Sequence, residues 1–543
     1  MEIQTVKRME KEAMKSSSFD FIRLGFALFF MVVVLSYSFI STGGIPNNVF
    51  LAIAALFGAY MAMNIGANDV ANNVGPAVGS KALTMGGAIV IAAVFEAAGA
   101  LIAGGEVVNT IKKGIIDITA FGNQTEPFIW AMMSSLLAAA IWLNLATYFK
   151  APVSTTHSIV GGVMGAGIAA AGFGIVAWGT MGKIALSWII SPVLGGIIAA
   201  IFLFAIKKTM IYKEDKKSAA LIWVPIYVAI MSWAFVTYLT LKGLKKVWPI
   251  IVDIFTFLPH TDKPTFLLAS TLGLIISILV YLIVKSSISK NALRIKNSRM
   301  GVNRLFTVPL IFAAALLSFA HGANDVANAI GPLAAISDAV MSGGISTKAG
   351  IPLWVMAVGA IGIALGLALY GPKLIRTVGS EITELDQVRA FSVAMAAAIT
   401  VIIASQLGLP VSSTHIAIGG IFGVGFLREY LTQTEKLDVV AKEKELVDDE
   451  KKYLKALSSE LKTLESKKDK KKNDYERIVD LYKKIDAEEE KLKEAKKQLK
   501  DAEKIQYVKR DAVKKIIAAW IITVPAAAVL SAMLYFMIRG IVL

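Results

Sequence analysis

The chain contains no cysteine and only four histidines among its 543 residues. The first absence excludes disulfides, thiolate metal sites and thiol chemistry, and leaves the redox compartment open. The histidines show neither the H-x3-H nor the H-E-x-x-H spacing that holds a transition metal. No G-x-G-x-x-G or G-x-x-x-x-G-K-[S/T] stretch lies in a strand-turn-helix setting, so nucleotide-driven chemistry has no support. Charged residues make up 18% of the chain against 56% hydrophobic ones, and the mean hydropathy is +0.63. A soluble enzyme does not fit that balance. The formal net charge is +16, which in a soluble protein would suggest nucleic acid. Here Lys and Arg gather in loops and after residue 428, as the positive-inside bias at a membrane demands, so no nucleic-acid partner is expected.

What the chain does have is apolar length. About thirteen windows, from 20–41 to 515–538 and including 153–172 and 410–428, approach the roughly 20 residues that cross a bilayer. The first window follows a polar segment and lacks an A-x-A cleavage pattern, so it reads as a retained helix. The expectation is a multi-pass integral membrane protein, in the cell (inner) membrane if the source is prokaryotic.

The chain is also written twice. "GANDVANNVGP" at 66–76 returns as "GANDVANAIGP" at 322–332. "PVSTTHSIVGGVMGAG" at 152–167 returns as "PVSSTHIAIGGIFGVG" at 410–425. "KIALSWIISP" from Lys183 is echoed by "KIIAAWIITVP" from Lys515. The offset between copies grows abruptly before the third block, which places an insertion in the second copy. Seven crossings between the first block and its copy, an odd number, make the two halves inverted. With a Lys-rich N-terminus inside, the same count puts Lys207–Lys217, Lys285–Arg304 and the insertion inside; 242–264, with Lys242, Lys245 and Lys246, falls outside against the bias. The expected organisation is a tail and extra helix over 1–48, repeat 1 over 49–206, connecting helices and basic loops over 207–305, repeat 2 over 306–428, an insert over 430–513 and the last helix of repeat 2 over 515–543. The fold class is all-α and polytopic: two inverted repeats of about five helices plus extra helices, about 12–13 spans, with a cytoplasmic coiled-coil insert. In the insert Val447, Leu454, Leu457, Leu461 and Leu464 keep a 3-4 spacing, as do Tyr475, Ile478, Tyr482, Ile485, Leu492 and Leu499 after "KKDKKKND". Two seams of that kind predict an antiparallel helical hairpin.

Asp69 and Asp325 stand inside apolar segments, where an ionised side chain costs at least about 2.5–3.5 kcal/mol without a partner. Asn68, Asn72, Asn324 and Asn328 add amide oxygens, and Gly66 and Gly322 invite the backbone to unwind. Such an oxygen-rich setting suits a hard monovalent cation, Na⁺, with the proton as the alternative coupled ion. Ser154, Thr155 and Thr156 follow Pro152, and Ser412, Ser413 and Thr414 follow Pro410. Both stretches read as helix starts, whose free N–H groups and hydroxyls suit an oxyanion. Ordinary capping accounts for either stretch taken alone. His157 and His415 close these stretches as coupling groups or as packed neighbours of the site. Glu96 is a further intramembrane acid with no counterpart near Gly359. His321 matches Ile65 in the other copy, which argues against an essential role. The paired glycines Gly161-Gly162 and Gly419-Gly420, with Gly165, Gly167, Gly423 and Gly425, read as close helix packing.

The two GANDVAN blocks and the two P-V-S-[T/S]-T-H blocks, with Val108–Gly114 and Thr377–Thr383, resemble the inorganic phosphate transporter family, the Pit type of sodium- or proton-coupled phosphate symporter. The resemblance implies an inverted-repeat helical transporter carrying phosphate with cations, assembled as a homodimer, and favours a functional role for Glu96. The helix at 20–41 and the 430–513 insert depart from the family's usual outline. Neither duplicated block contains Lys or Arg, so phosphate held there needs cations: one Na⁺ near Asn68 and Asp69, another near Asn324 and Asp325, with phosphate held by Ser154, Thr155, Thr156, Ser412, Ser413, Thr414, Asn72 and Asn328. No organic cofactor and no catalytic residue is expected. A proton-coupled carrier, a sulfate carrier and a phosphate-sensing receptor remain as alternatives. Hydropathy alone leaves Pro152 and Pro410 near a membrane surface; a shared site at mid-depth requires broken or re-entrant helices.

Overall fold

The computed structural model describes residues 2–122, 124–149, 153–245, 247–255, 258–290, 295–345, 350–381, 385–468, 471–503 and 510–543. Pro152, Ile382 and Thr383 of the motif stretches lie outside the described residues. Nearly all regular structure among the described residues is helical; the isolated bridge Ile116–Val176 is the exception. In chain order the α-helices are α1 (Glu2–Ser41), α2 (Asn48–Gly79), α3 (Met85–Ala103), α4 (Gly105–Lys113), α5 (Thr125–Tyr148), α6 (Thr155–Ala171), α7 (Trp178–Ile206), α8 (Lys216–Gly243) and α9 (Trp248–Ile254). They continue as α10 (Phe266–Lys290), α11 (Arg299–Leu305), α12 (Thr307–Ser342), α13 (Leu353–Glu381), α14 (Gln387–Gln406), α15 (Ser413–Glu465), α16 (Lys472–Glu503) and α17 (Arg510–Val542). Polar caps start several of them: Thr84 Oγ1 accepts from Gly87 N at 3.2 Å, and Asp386 Oδ1 from Arg389 N at 3.0 Å.

Among the described residues eleven helices are long and apolar enough to cross a membrane, not thirteen. The two windows that drop out are 153–172 and 410–428; without 153–172 the count between the two GANDVAN blocks is six rather than seven, so counting spans does not by itself make the halves inverted. Helix α6 has only 17 residues, about 26 Å at 1.5 Å per residue, short of the hydrocarbon core. In α15 the apolar stretch ends at Leu427, before Arg428. Both helices are short on their apolar side because they start deep in the bundle. Asn324 is 17 residues from Thr307 and 18 from Ser342, the middle of α12, and its amide nitrogen donates to Ser405 Oγ (3.0 Å) and Leu409 O (3.2 Å) at the end of α14. Asn68, about two-thirds along α2, likewise donates to Thr147 Oγ1 at the end of α5 (3.0 Å). The chain then turns back. A Cβ on Gly162 would lie 3.0 Å from Ser135 O, and one on Gly420 would lie 3.3 Å from Val393. Thus α5–α6 and α14–α15 form hairpins whose tips lie against interior stretches of α2 and α12.

Helices α2 and α12 run unbroken through the GANDVAN blocks, so Gly66 and Gly322 do not unwind the backbone. They let helices cross. A Cβ on Gly66 would fall 2.0 Å from Ile363 O, and one on Gly366 2.0 Å from Met63 O, at the crossing of α2 with α13. On the α12–α3 crossing a Cβ on Gly322 would fall 2.1 Å from Glu96 O and one on Gly99 2.0 Å from Phe319 O. The glycines of the second duplicated block do the same. Gly161 and Gly165 admit the Val524 and Ala528 carbonyls of α17, and Gly419 and Gly423 admit those of Pro192 and Gly196 on α7. Every one of these four crossings joins a helix of the first half to one of the second, so the halves interlock.

By contacts the chain divides into two compact units, Met1–Val424 with Arg510–Leu543, and Gly425–Lys509. In the second unit the two helical stretches pack antiparallel: Val447 meets Leu492 and Ala495, and Leu457 and Leu461 meet Leu481. The seam differs from the spacing-based expectation on α16. Leu481 is fully buried, whereas Tyr475 and Tyr482 are exposed, and the Tyr482 hydroxyl donates to Glu465 Oε1 at 2.7 Å. A tyrosine keeps its hydroxyl wet by sitting beside the seam rather than in it.

Candidate functional site

The side chains of the duplicated blocks meet where α2, α12 and the two hairpin tips converge. Asp69, Asp325 and His321 are all fully buried, and one atom of each lies within 4.8 Å of the others. His321 Nε2 is 2.9 Å from Asp325 Oδ2, one helical turn on, and 3.7 Å from Asp69 Oδ2 on the opposite helix. Its other nitrogen, Nδ1, lies 3.3 Å from Glu96 Oε1 on α3, which also accepts from Asn73 Nδ2 at 2.7 Å. A chain of polar groups therefore runs Asn73–Glu96–His321–Asp325, with Asp69 beside it.

The hairpin tips supply hydroxyls. Ser413 Oγ donates to Asp325 Oδ2 at 2.8 Å, and Thr414 Oγ1 donates to Asp69 Oδ1 at 3.0 Å. Thr414 Oγ1 also accepts from Asn72 Nδ2 at 2.8 Å. Asn328 Nδ2 reaches both Thr155 Oγ1 (3.2 Å) and Thr156 Oγ1 (3.1 Å). The tips touch each other as well, Thr156 Oγ1 donating to Val411 O at 2.9 Å, and Trp188 Nε1 of α7 donates to Pro410 O at 3.0 Å. Ser154 and Ser412 act as caps, each accepting from the backbone N–H three residues on, at His157 (3.1 Å) and His415 (3.3 Å). Behind the tips, His157 lies tilted against Trp188 (3.8 Å between centroids) and His415 stacks on Trp520 (3.6 Å), while the two imidazoles meet edge to face at 4.5 Å. These rings are packed partners of the tips.

One side of the site is covered by α4. Thr110 Oγ1 donates to Gly408 O of a hairpin turn at 2.7 Å, and Lys112 Nζ lies 3.1 Å from Asp338 Oδ2 in a buried ion pair with α12. Six buried oxygens in and beside the site make no hydrogen bond among the described residues: Asp69 Oδ2, Asn73 Oδ1, Glu96 Oε2, Asn324 Oδ1, Asp325 Oδ1 and Asn328 Oδ1. Each such acceptor costs about 1–3 kcal/mol unless something positive or hydrogen-bonding meets it. The site is thus rich in acceptors and poor in cations.

A model of the phosphate transporter family matches residues 65–531. A Helicobacter pylori (strain J99) chain named "Putative phosphate permease" is 49% identical over 98% of both chains. A relative of that name from Thermococcus kodakarensis is 38% identical over 70% of this chain and 89% of its own. The chain belongs to the phosphate transporter family. It is therefore a multi-pass membrane transporter of phosphate and not an enzyme. A solved structure named "The sodium-dependent phosphate transporter" superposes on this transporter with a TM-score of 0.69 at 30% identity, covering 91% of this chain and 99% of that one.

Of the residues singled out from sequence, the transporter brings together Asp69, Asp325, Asn72, Asn328, Thr155, Thr156, Ser413, Thr414 and Glu96. The amide nitrogens of Asn68 and Asn324 serve hairpin ends rather than the carboxylates beside them. Successive helical residues point about 100° apart, and both amides turn toward hairpin ends. Sequence reasoning misses two residues. His321 looks dispensable because Ile65 occupies its matching place, yet it is the hub of the cluster. Asn73, in the motif itself, holds Glu96. An unmatched histidine one turn before an intramembrane acid is the available signal.

Proposed function

We propose that this transporter moves inorganic phosphate together with Na⁺, by alternating access between two inverted repeats. The observation that carries the reading is the excess of buried, unpartnered oxygens around Asp69 and Asp325, with neither lysine nor arginine in either duplicated block. A phosphate dianion brought to two carboxylates at such range would be repelled strongly. Na⁺ ions at Asp69 Oδ2 and Asp325 Oδ1, helped by the amide oxygens of Asn324 and Asn328, turn that repulsion into attraction. The anion is held by the Thr155, Thr156, Ser413 and Thr414 hydroxyls and by the free N–H groups at the starts of α6 and α15, where the helix dipole favours negative charge. Because each ion then binds better in the presence of the other, transport of one requires the other. The solved structural neighbour, whose name includes sodium dependence, supports Na⁺ as the partner ion.

The interlocked crossings of α2 with α13 and α3 with α12 support a rocking of one half against the other, the two hairpin tips parting at Thr156 and Val411. In this reading the hairpins re-enter the membrane from one face each, the Gly425–Lys509 unit is cytoplasmic, and the transporter works in the cell membrane as a homodimer. A second reading, proton coupling, is favoured by one observation: His321 sits between three carboxylates and is able to carry the coupling proton. Uptake of labelled phosphate into proteoliposomes separates the two. The Na⁺ reading expects uptake under an inward Na⁺ gradient at equal pH on both sides, unaffected by excess sulfate. Uptake driven by a pH gradient alone, in Na⁺-free buffer, would replace it with the second.

A further inference from the structure

Between α8, α10 and the start of α12 lies a cavity of about 670 Å³, away from the carboxylate cluster. Among the described side chains that line it only Ser232, Ser287 and Arg304 are polar; the rest are apolar. It exists because α8 and α10 touch closely at one level and splay below it. A Cβ on Gly273 would lie 2.5 Å from Thr237 Oγ1 and 2.9 Å from Trp233 O, whereas further along the pair the cavity separates Val228 from Ile283. Along α8 the lining runs from Val224 to Phe235, eleven residues or about 16 Å of helix. That is about half of the roughly 30 Å hydrocarbon core, the depth of one leaflet.

The polar end is basic. Arg304 is exposed and its guanidinium forms no ion pair among the described residues. Lys285 lies two residues before Ser287, its Nζ 5.5 Å from the Tyr281 ring centroid. Two acids at this end are engaged elsewhere: Asp386 Oδ2 is 3.2 Å from Arg299, and Asp215 caps the start of α8 through Ser218 N at 3.0 Å.

We infer that this cavity is a binding site for one anionic phospholipid, its acyl chains against Val228, Ile283 and Leu316 and its headgroup phosphate at Arg304. An apolar slot one leaflet deep with the Arg304 guanidinium at its mouth matches that molecule at both ends. Basic pockets of this kind between membrane helices select anionic headgroups. The inner end of the cavity is closed by Phe95, the neighbour of Glu96, so the lipid tail abuts the helix that carries the site's third acid.

The test uses the full chain in nanodiscs of phosphatidylcholine with a minor share of phosphatidylglycerol, followed by native mass spectrometry of the lipid retained after release. The wild-type chain is expected to keep one phosphatidylglycerol in preference to phosphatidylcholine. Arg304→Gln should lower that preference about fivefold, which corresponds to roughly 1 kcal/mol for one basic side chain at an anionic surface. Val284→Trp, which fills the slot, should remove both lipids while Na⁺-driven phosphate uptake continues. No preference in the wild type, or a preference unchanged by Arg304→Gln, overturns the proposal. So does a dimer that carries no phosphatidylglycerol in either variant, since the groove then belongs to a second copy of the chain.

Discussion

Thr414 donates a hydrogen bond to Asp69 at 3.0 Å across 345 residues of chain. The hydroxyl belongs to the hairpin of the second half and the carboxylate to the motif helix of the first, and Asn328 of the second half meets Thr155 and Thr156 of the first as Asn72 meets Thr414. Each half therefore completes the other's site, so any motion that separates the halves dismantles it.

Thr414→Val tests that relationship. It keeps the shape and removes the hydroxyl that serves both Asp69 and Asn72. Two buried polar groups lose a partner at about 1–3 kcal/mol each. Phosphate uptake should fall at least tenfold, while Thr414→Ser retains most of it. Equal uptake in Thr414→Val and wild type would remove the hydroxyl from the site.

His321→Ile installs the residue found at the matching position of the first half, Ile65. Glu96 and Asp325 then face apolar carbon instead of a ring nitrogen at 3.3 and 2.9 Å. Thermal unfolding of the purified protein should shift by the equivalent of about 1–3 kcal/mol, and uptake should be lost. Uptake within twofold of wild type would show that the imidazole only fills space.

Gly322→Ala and Gly66→Ala should each destabilise the bundle by about 1–3 kcal/mol or more. The added methyl would fall 2.1 Å from Glu96 O in one case and 2.0 Å from Ile363 O in the other, and backbone cannot swing aside as a side chain can. Gly86→Ala, with nothing within 4 Å of the added carbon, is the matched control and should be neutral. Thermal unfolding of the three variants in detergent decides this.

Much of this arrangement is legible in the sequence, and the reasons for the exceptions are physical. Duplicated blocks mark Asp69, Asp325 and the Ser/Thr tips because intramembrane acids and post-proline hydroxyls are rare enough to stand out. The resemblance to the phosphate transporter family rests on the same residues and is borne out. Span counting overshoots at 153–172 and 410–428 because hydropathy weighs apolar length without depth, and the tip contacts at Asn68 and Asn324 join residues some 80 positions apart. Propensity makes Gly66 and Gly322 look like helix breakers, whereas close crossings, invisible to a single segment, require them. His321 is discounted by comparing halves, a method that finds what is shared and overlooks what only one half has.

Replacing 432–511 by a short flexible linker should leave phosphate uptake within about twofold of wild type. The Gly425–Lys509 unit has its own buried seam at Val447, Leu457, Leu461 and Leu481, and the site residues all belong to the other unit. Uptake lost in a variant that still elutes as a single species in size-exclusion chromatography would assign the insert a part in transport.

The measurement that bears most directly on the proposed mechanism is equilibrium binding of labelled phosphate to the purified transporter as Na⁺ replaces choline at constant ionic strength. With carboxylates and unpartnered oxygens but no basic residue in the duplicated blocks, phosphate affinity should rise with Na⁺ by about 5- to 150-fold, the span of couplings worth 1–3 kcal/mol. In Asp69→Asn that dependence should flatten. Phosphate bound equally well in choline, or an unchanged Na⁺ dependence in both Asp69→Asn and Asp325→Asn, would contradict the claim that cations assemble the anion site.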